Sequence, residues 1–240
     1  MSGGPEIPSV EEVRARLDAL RANRGFVLEH HGAMAAGMPD LHAAYNAMYA
    51  ALTLADRHLS PFEKEFCWLA ILLATREAIG THHLDLFRRH GGTEAQAEIA
   101  FRAVGYAGAA AGFGFVGHHW SGFFPGIAAR DAYLRGLRAL CGGDAAVPWD
   151  TVLLALGAAQ AALGCEEGVA AHVVAAYEAG VPEDKLAEAL SLVIWPTGVN
   201  KFVDACRVWH GLMVAGEVVP SPRYRVWAET PGLGPFGTAG

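Results

Sequence analysis

The chain reads as an all-α protein, and three observations say so. No segment alternates apolar and polar residues with the period of two that a half-buried strand needs. Apolar residues recur instead at three- and four-residue spacing, in segments bounded by helix-start and helix-stop residues. The middle of the chain also lies over its end at a constant shift of 89 residues, which pairs Glu77, His83, Gly91, Glu94, Trp120 and Gly122 with Glu166, His172, Gly180, Glu183, Trp209 and Gly211. Alanine-rich stretches align by accident, but a histidine, a tryptophan and two glutamates in ungapped register point to one helical unit used twice. The expected organisation is an N-terminal helical extension over 1–58, a first repeat over 59–140, a second over 141–215, and a Pro/Gly-rich tail or arm over 216–240.

The elements follow in order. Ser9 with Glu12 is a capping box that opens a first helix running to about Arg24, and Gly25 ends it. A second helix covers 26–36, and Pro39-Asp40 starts a third over 41–54. Ser60, Pro61 and Glu63 supply an N-cap, a first-turn proline and a capping-box acid for the first repeat. From Phe66 to Ala78 the pattern is helical and apolar on nearly every face, so this helix must be buried on most sides. A helix carrying His82 and His83 resumes after Gly80 and stops at Gly91-Gly92, and Thr93 with Gln96 caps the next. Five glycines between 105 and 117 let helices approach closely while weakening the helix that holds them. The linker Cys141-Gly142-Gly143-Asp144 leads into the second repeat. There, helices run from about Trp149 to Leu163, on to Ala179 after a break at Gly164, and from Glu183 to Ile194. A bend at 195–198 precedes a last helix through Val214. The segment beyond Glu217 is either a disordered tail or an extended arm that shelters Tyr224, Val226, Trp227 and Phe236.

Composition bounds the function. A chain of 240 residues, 52% apolar and 18% charged, with mean hydropathy +0.23, carries more apolar surface than one core needs, which points to homo-oligomer interfaces. Charged residues and glycines break the apolar runs before spanning length, and no basic-then-apolar leader opens the chain, so a cytosolic protein without membrane partners is expected. The net charge of −7, with no basic cluster, argues against nucleic acid. Cys67, Cys141, Cys165 and Cys206 lie far apart without a CxxC pair and read as reduced thiols.

Two constellations could carry chemistry. Cys165, Gly168 and His172 share one helix face, so thiol and imidazole could act as nucleophile and base; a buried thiol beside a core histidine is the alternative. In the first repeat, Arg76 stands at the position of Cys165 and His83 at that of His172, with Glu65 upstream. Arginine would clamp a substrate carboxylate, histidine would move a proton, and glutamate would orient it; a solvated Glu65–Arg76 pair beside a packed His83 is the alternative. The dipeptides His30-His31, His82-His83 and His118-His119 do not offer two ligands to one ion, because neighbours on a helix point about 100° apart. No metal site is expected.

The residues Leu59-Ser60-Pro61, Glu65, Leu69-Ala70, Arg76-Glu77, His83, Gly91 and Tyr106-Ala107-Gly108 resemble the carboxymuconolactone decarboxylase family. So do Cys165-Glu166-Glu167-Gly168, His172, Ala179-Gly180-Val181 and Glu188-Ala189-Leu190 in the second repeat. The resemblance implies tandem alkylhydroperoxidase D-like helical repeats assembled into trimers or hexamers. The peroxidase branch of that superfamily uses a Cys-x-x-Cys pair with a glutamate and a histidine. Here Cys165 matches the first cysteine and His172 the histidine, while Gly168 replaces the second cysteine and Leu153 the glutamate. The decarboxylase branch needs neither cofactor nor thiol pair, and it implies a small lactone acid as substrate. On that reading His83, Arg76 and Glu65 are the expected catalytic residues, and His82, Arg76, Tyr106 and Trp195 the expected substrate contacts; the alternatives are a thiol-dependent redox protein that uses Cys165 and His172, and a non-catalytic oligomeric binding protein.

Overall fold

The computed structural model describes residues 7–142 and 146–230. Gly143 and Asp144 of the expected linker and Phe236 of the tail lie outside them. Among the described residues there are helices and no strands, in agreement with the all-α expectation. The chain divides into two compact units, Met1–Ala55 and Asp56–Gly240.

The first unit holds α1 (Val10–Arg24), α2 (Glu29–Gly37) and α3 (Pro39–Tyr49), which continues into a π-helical turn at Ala50–Leu54. Both halves of the Ser9–Glu12 capping box form, and Gly25 closes α1 in the left-handed conformation at φ 80°. The second helix begins three residues later than its sequence pattern suggests. His31 is the cause: its Nδ1 caps α2 by accepting from the Leu28 backbone N–H.

The larger unit is built on α4 (Pro61–Thr75), α5 (Thr81–Arg89), α6 (Glu94–Ala107), α7 (Ala109–His119), α8 (Ala129–Leu140), α9 (Trp149–Leu163), α10 (Glu166–Glu178), α11 (Glu183–Ser191), the short α12 (Ile194–Thr197), α13 (Val199–Val214) and α14 (Pro222–Glu229). Its centre is the pair of apolar helices α4 and α9, packed against each other. Phe66 to Leu72 are all buried on α4, and Thr151 to Ala162 on α9. α5 and α6 cover α4, while α10, α11 and α13 cover α9.

The two halves share punctuation. α4 and α9 are each 15 residues long and each ends on a left-handed residue, Arg76 at φ 57° and Gly164 at φ 71°. The next stops, Gly91 and Gly180, are also left-handed. The helix ends therefore pair at a shift one residue shorter than the later stops. Aligned on these helix ends, Arg76 falls opposite Gly164 and Glu65 opposite Leu153, and Cys165 is the N-cap residue of α10.

Charged residues tie the halves together across the start of α4. Lys185 of α11 donates to Glu63 at 2.6 Å, and Lys64 lies 3.8 Å from Glu188 with both side chains buried. Glu188 also accepts from the backbone N–H groups of His58 and Leu59 at 2.7 and 2.8 Å. Burial opposes ionisation of Glu63, but the Lys185 and Ser60 hydrogen bonds outweigh it and hold its pKa below the usual carboxylate value.

Three expectations need correction. The helix from Phe66 stops at Thr75, not Ala78, because Arg76 turns left-handed. The stretch Glu94–His119, α6 with α7, does reach membrane-spanning length and hydropathy by composition; glycine and scattered polar residues interrupt it less than the sequence reading supposed. The segment past Glu217 is neither disordered nor extended over 222–229: it forms α14, where Tyr224 stacks on Trp209 at 5.3 Å and Trp227 meets it edge-on at 5.4 Å. Val226 stays exposed.

Candidate active site

Glu65 sits one turn into α4 and His83 in the first turn of α5, across the tight connection that follows Arg76. Both are buried, and the Glu65 carboxylate lies 2.8 Å from His83 Nδ1. An ionised carboxylate only accepts, so Nδ1 carries the hydrogen and Nε2 of the neutral ring is the nitrogen left to take up a proton. Trp68, one turn further along α4 from Glu65, stacks on the imidazole with ring centres 4.2 Å apart and planes 16° from parallel. Its indole Nε1 is buried without a hydrogen-bond partner. Of the adjacent pair it is His83 that turns inward, with the half-buried His82 ring packed beside it at 4.1 Å.

Arg76 does not join this pair. It caps α4 in the left-handed conformation, its side chain is exposed, and among the described residues it bonds to neither Glu65 nor His83. The amide of Glu77 reaches back to the Leu72 carbonyl at 2.9 Å, as in a Schellman cap. Arg76 therefore occupies a position that suits glycine, at a cost of about 1–2 kcal/mol.

The second constellation does not assemble either. His172 is wholly buried and donates from Nδ1 to the Gly168 carbonyl at 2.7 Å, leaving Nε2 buried without a partner. Burial pushes its pKa down to about 4, against the smaller upward pull of that carbonyl. Cys165 is half-buried and points its thiol toward Glu167, not His172. Burial raises its pKa; the Gly168 backbone hydrogen bond pulls the other way, and the Glu167 and Glu166 carboxylates add to the rise. This thiol is not an activated nucleophile. A side chain at Gly168, where a second cysteine would stand, would run into the Gln160 amide.

Tyr106 belongs to a separate aromatic group, stacked on Tyr133 at 5.5 Å. Tyr133 in turn accepts from Gln160 Nε2 at 3.2 Å and meets His172 edge-on at 5.7 Å. Trp195 is half-buried on α12, which packs against α4, the helix bearing Glu65. Of the eight predicted site residues, then, the structure brings Glu65, His83 and His82 together. Sequence reasoning missed Trp68, Tyr133 and Gln160. Tyr133 had a readable signal, since Ala129, Tyr133 and Leu137 recur at four-residue spacing on a helix left unassigned. Trp68 was hidden in an apolar run where any ring reads as core. Among the described residues, no three His, Cys, Asp or Glu side chains are placed to hold a metal ion.

Comparison with known families places the second half. Residues 128–210 match the carboxymuconolactone decarboxylase family. The match runs from the start of α8 into α13, so the family segment contains Cys165, His172 and Trp195, while Glu65, Arg76, His82, His83 and Tyr106 precede it. No curated protein and no solved structure matches the chain.

Proposed function

We propose that this carboxymuconolactone decarboxylase-like protein is a cofactor-independent acid–base enzyme that decarboxylates a small carboxylated lactone or cyclic acid. The observation that carries the reading is the buried 2.8 Å contact between Glu65 and His83 Nδ1. In the proposed step the bond to the carboxylate carbon breaks, carbon dioxide leaves, and the electron pair is delocalised onto the ring carbonyl. His83 takes up a proton from solvent at Nε2 and delivers it to the ring carbon, which returns the ring to its neutral form. Glu65 holds the ring in the correct tautomer and gives the imidazolium a counter-charge while it carries the proton. The unpartnered indole N–H of Trp68 supplies the donor for a substrate oxygen, the role the sequence assigned to Arg76.

The two halves are read as copies of one unit, with chemistry kept in the first and packing in the second. Exposed Phe101, Phe115, Trp120, Phe123 and Phe124 support a homo-oligomer. The four free thiols suit a cytosolic location.

The test is carbon dioxide release from a panel of small lactone acids by the purified protein and its His83→Ala variant. The expected result is turnover of at least one acid, falling on the order of 10²-fold or more in the variant. Binding of such acids without turnover, unchanged by His83→Ala, would instead make the protein a non-catalytic binder.

A further inference from the structure

The N-terminal unit holds a polar centre that the acid–base reading leaves unused. Arg24 ends α1 and lies over the Tyr49 ring at 3.7 Å. Its Nη2 donates to Asn46 Oδ1 of α3 at 3.0 Å, and its Nη1 is directed at His31 Nε2, 3.5 Å away. His31 is 1% exposed, and its Nδ1 already accepts from the Leu28 backbone N–H at 3.0 Å. A neutral imidazole has one acceptor nitrogen. With Nδ1 accepting, Nε2 must carry the ring hydrogen, so an N–H of Arg24 and the N–H of His31 face each other with no acceptor between them.

The surroundings add positive charge and little to balance it. Among the described residues neither Arg24 nor Arg16 forms an ion pair. Arg16 donates to the Ala35 carbonyl at 3.4 Å, and Glu12, the acid that feels its charge, is engaged in the Ser9 capping box. Glu29 faces His30 at the rim, where His30 bonds the Tyr45 hydroxyl at 2.7 Å. His42 is buried beside Asn46 Nδ2 at 3.3 Å. Burial, helped by His30, Arg24 and His42, pushes the His31 pKa down to about 4, which keeps the ring neutral and its Nε2–H available as a donor.

We propose that this unit binds a small oxyanion, a carboxylate or a phosphate, between Arg24 Nη1 and His31 Nε2. An oxygen bridging the two N–H groups replaces a donor–donor contact with two charge-assisted or neutral hydrogen bonds and supplies the missing negative charge. The proposal does not depend on the chemistry at His83.

The experiment titrates sodium acetate and, separately, sodium phosphate into the full chain at low ionic strength, with sodium chloride as control. Calorimetry gives the affinity, and the His31 imidazole NMR signals give the site. The expected result is saturable binding of at least one oxyanion with a shift of the His31 signals, weakened at least tenfold in Arg24→Gln and by a smaller factor in Arg24→Lys, which keeps the charge but not the fork. Preference for acetate assigns the site to carboxylates, and preference for phosphate assigns it to phosphate groups. If neither anion binds the wild-type chain saturably, or the His31 signals stay still while one binds, the proposal is overturned without reliance on whether a variant folds.

Discussion

His83 and His172, which the 89-residue shift pairs, are each buried and each bonded through Nδ1, and they differ in what receives that bond. Glu65 offers His83 an anion. Gly168 offers His172 a neutral carbonyl, and Leu153, which aligns with Glu65 when the helix ends are matched, is fully buried. A carboxylate stabilises the imidazolium that proton transfer creates, whereas a carbonyl in an apolar core cannot repay the burial of that charge. Two histidines paired by one shift thus become, on this reading, one working proton donor and one packing residue. The helix before them decides which is which.

Four experiments would break or sharpen this contrast, the strongest first. Glu65→Gln keeps the shape and removes the counter-charge, so turnover of the acid found with the wild-type protein should fall about 10²- to 10⁴-fold. If His172→Asn abolished turnover and Glu65→Gln spared it, the roles would be reversed. The second concerns acid stability. Because the folded-state pKa of His172 lies near 4, below the unfolded value near 6.5, the unfolded chain binds a proton that the folded chain refuses. Stability is therefore full above about pH 6.5 and declines as pH falls toward 4, by about 3 kcal/mol from this residue. Urea unfolding of wild type and His172→Asn across that range should differ in slope, and equal slopes would remove His172 as the cause.

The third installs the missing thiol. Gly168→Cys should cost about 1–3 kcal/mol through its collision with Gln160, and adding Gln160→Ala should recover part of it in thermal melts. An undiminished melting temperature in the single variant would mean the space is open. The smallest effect is at Arg76: Arg76→Gly should stabilise the protein by about 1 kcal/mol by relieving the left-handed backbone, and leave turnover unchanged. A loss of turnover there would return Arg76 to the site.

What could be read from sequence was what local chemistry dictates. The capping boxes of Ser9–Glu12, Ser60–Glu63 and Thr93–Gln96 all form where their spacing put them. The burial of α4 was visible as a helical pattern apolar on nearly every face. At the site, the types and order of Glu65 and His83 were enough to pair them. Arg76 defeated the reading because its role turns on one backbone angle: a helix ending at Thr75 rather than Ala78 carries the guanidinium out to solvent. Cys165 and His172 misled for a related reason. Shared spacing on a helix face says nothing about a residue lying just before the helix, which is where Cys165 caps α10. α8 escaped notice between a glycine-rich stretch and a linker, although its period was present, and with it went Tyr133.

The grip of Glu188 on the amides of His58 and Leu59 has a practical corollary for anyone shortening this protein. A fragment beginning at residue 56 keeps both amides and their bonds to the carboxylate. One beginning at Ser60 looks equally tidy, since it starts on a helix cap, yet it strips the far end of the bundle of two of its anchors and strands a buried negative charge with Lys64 alone for company.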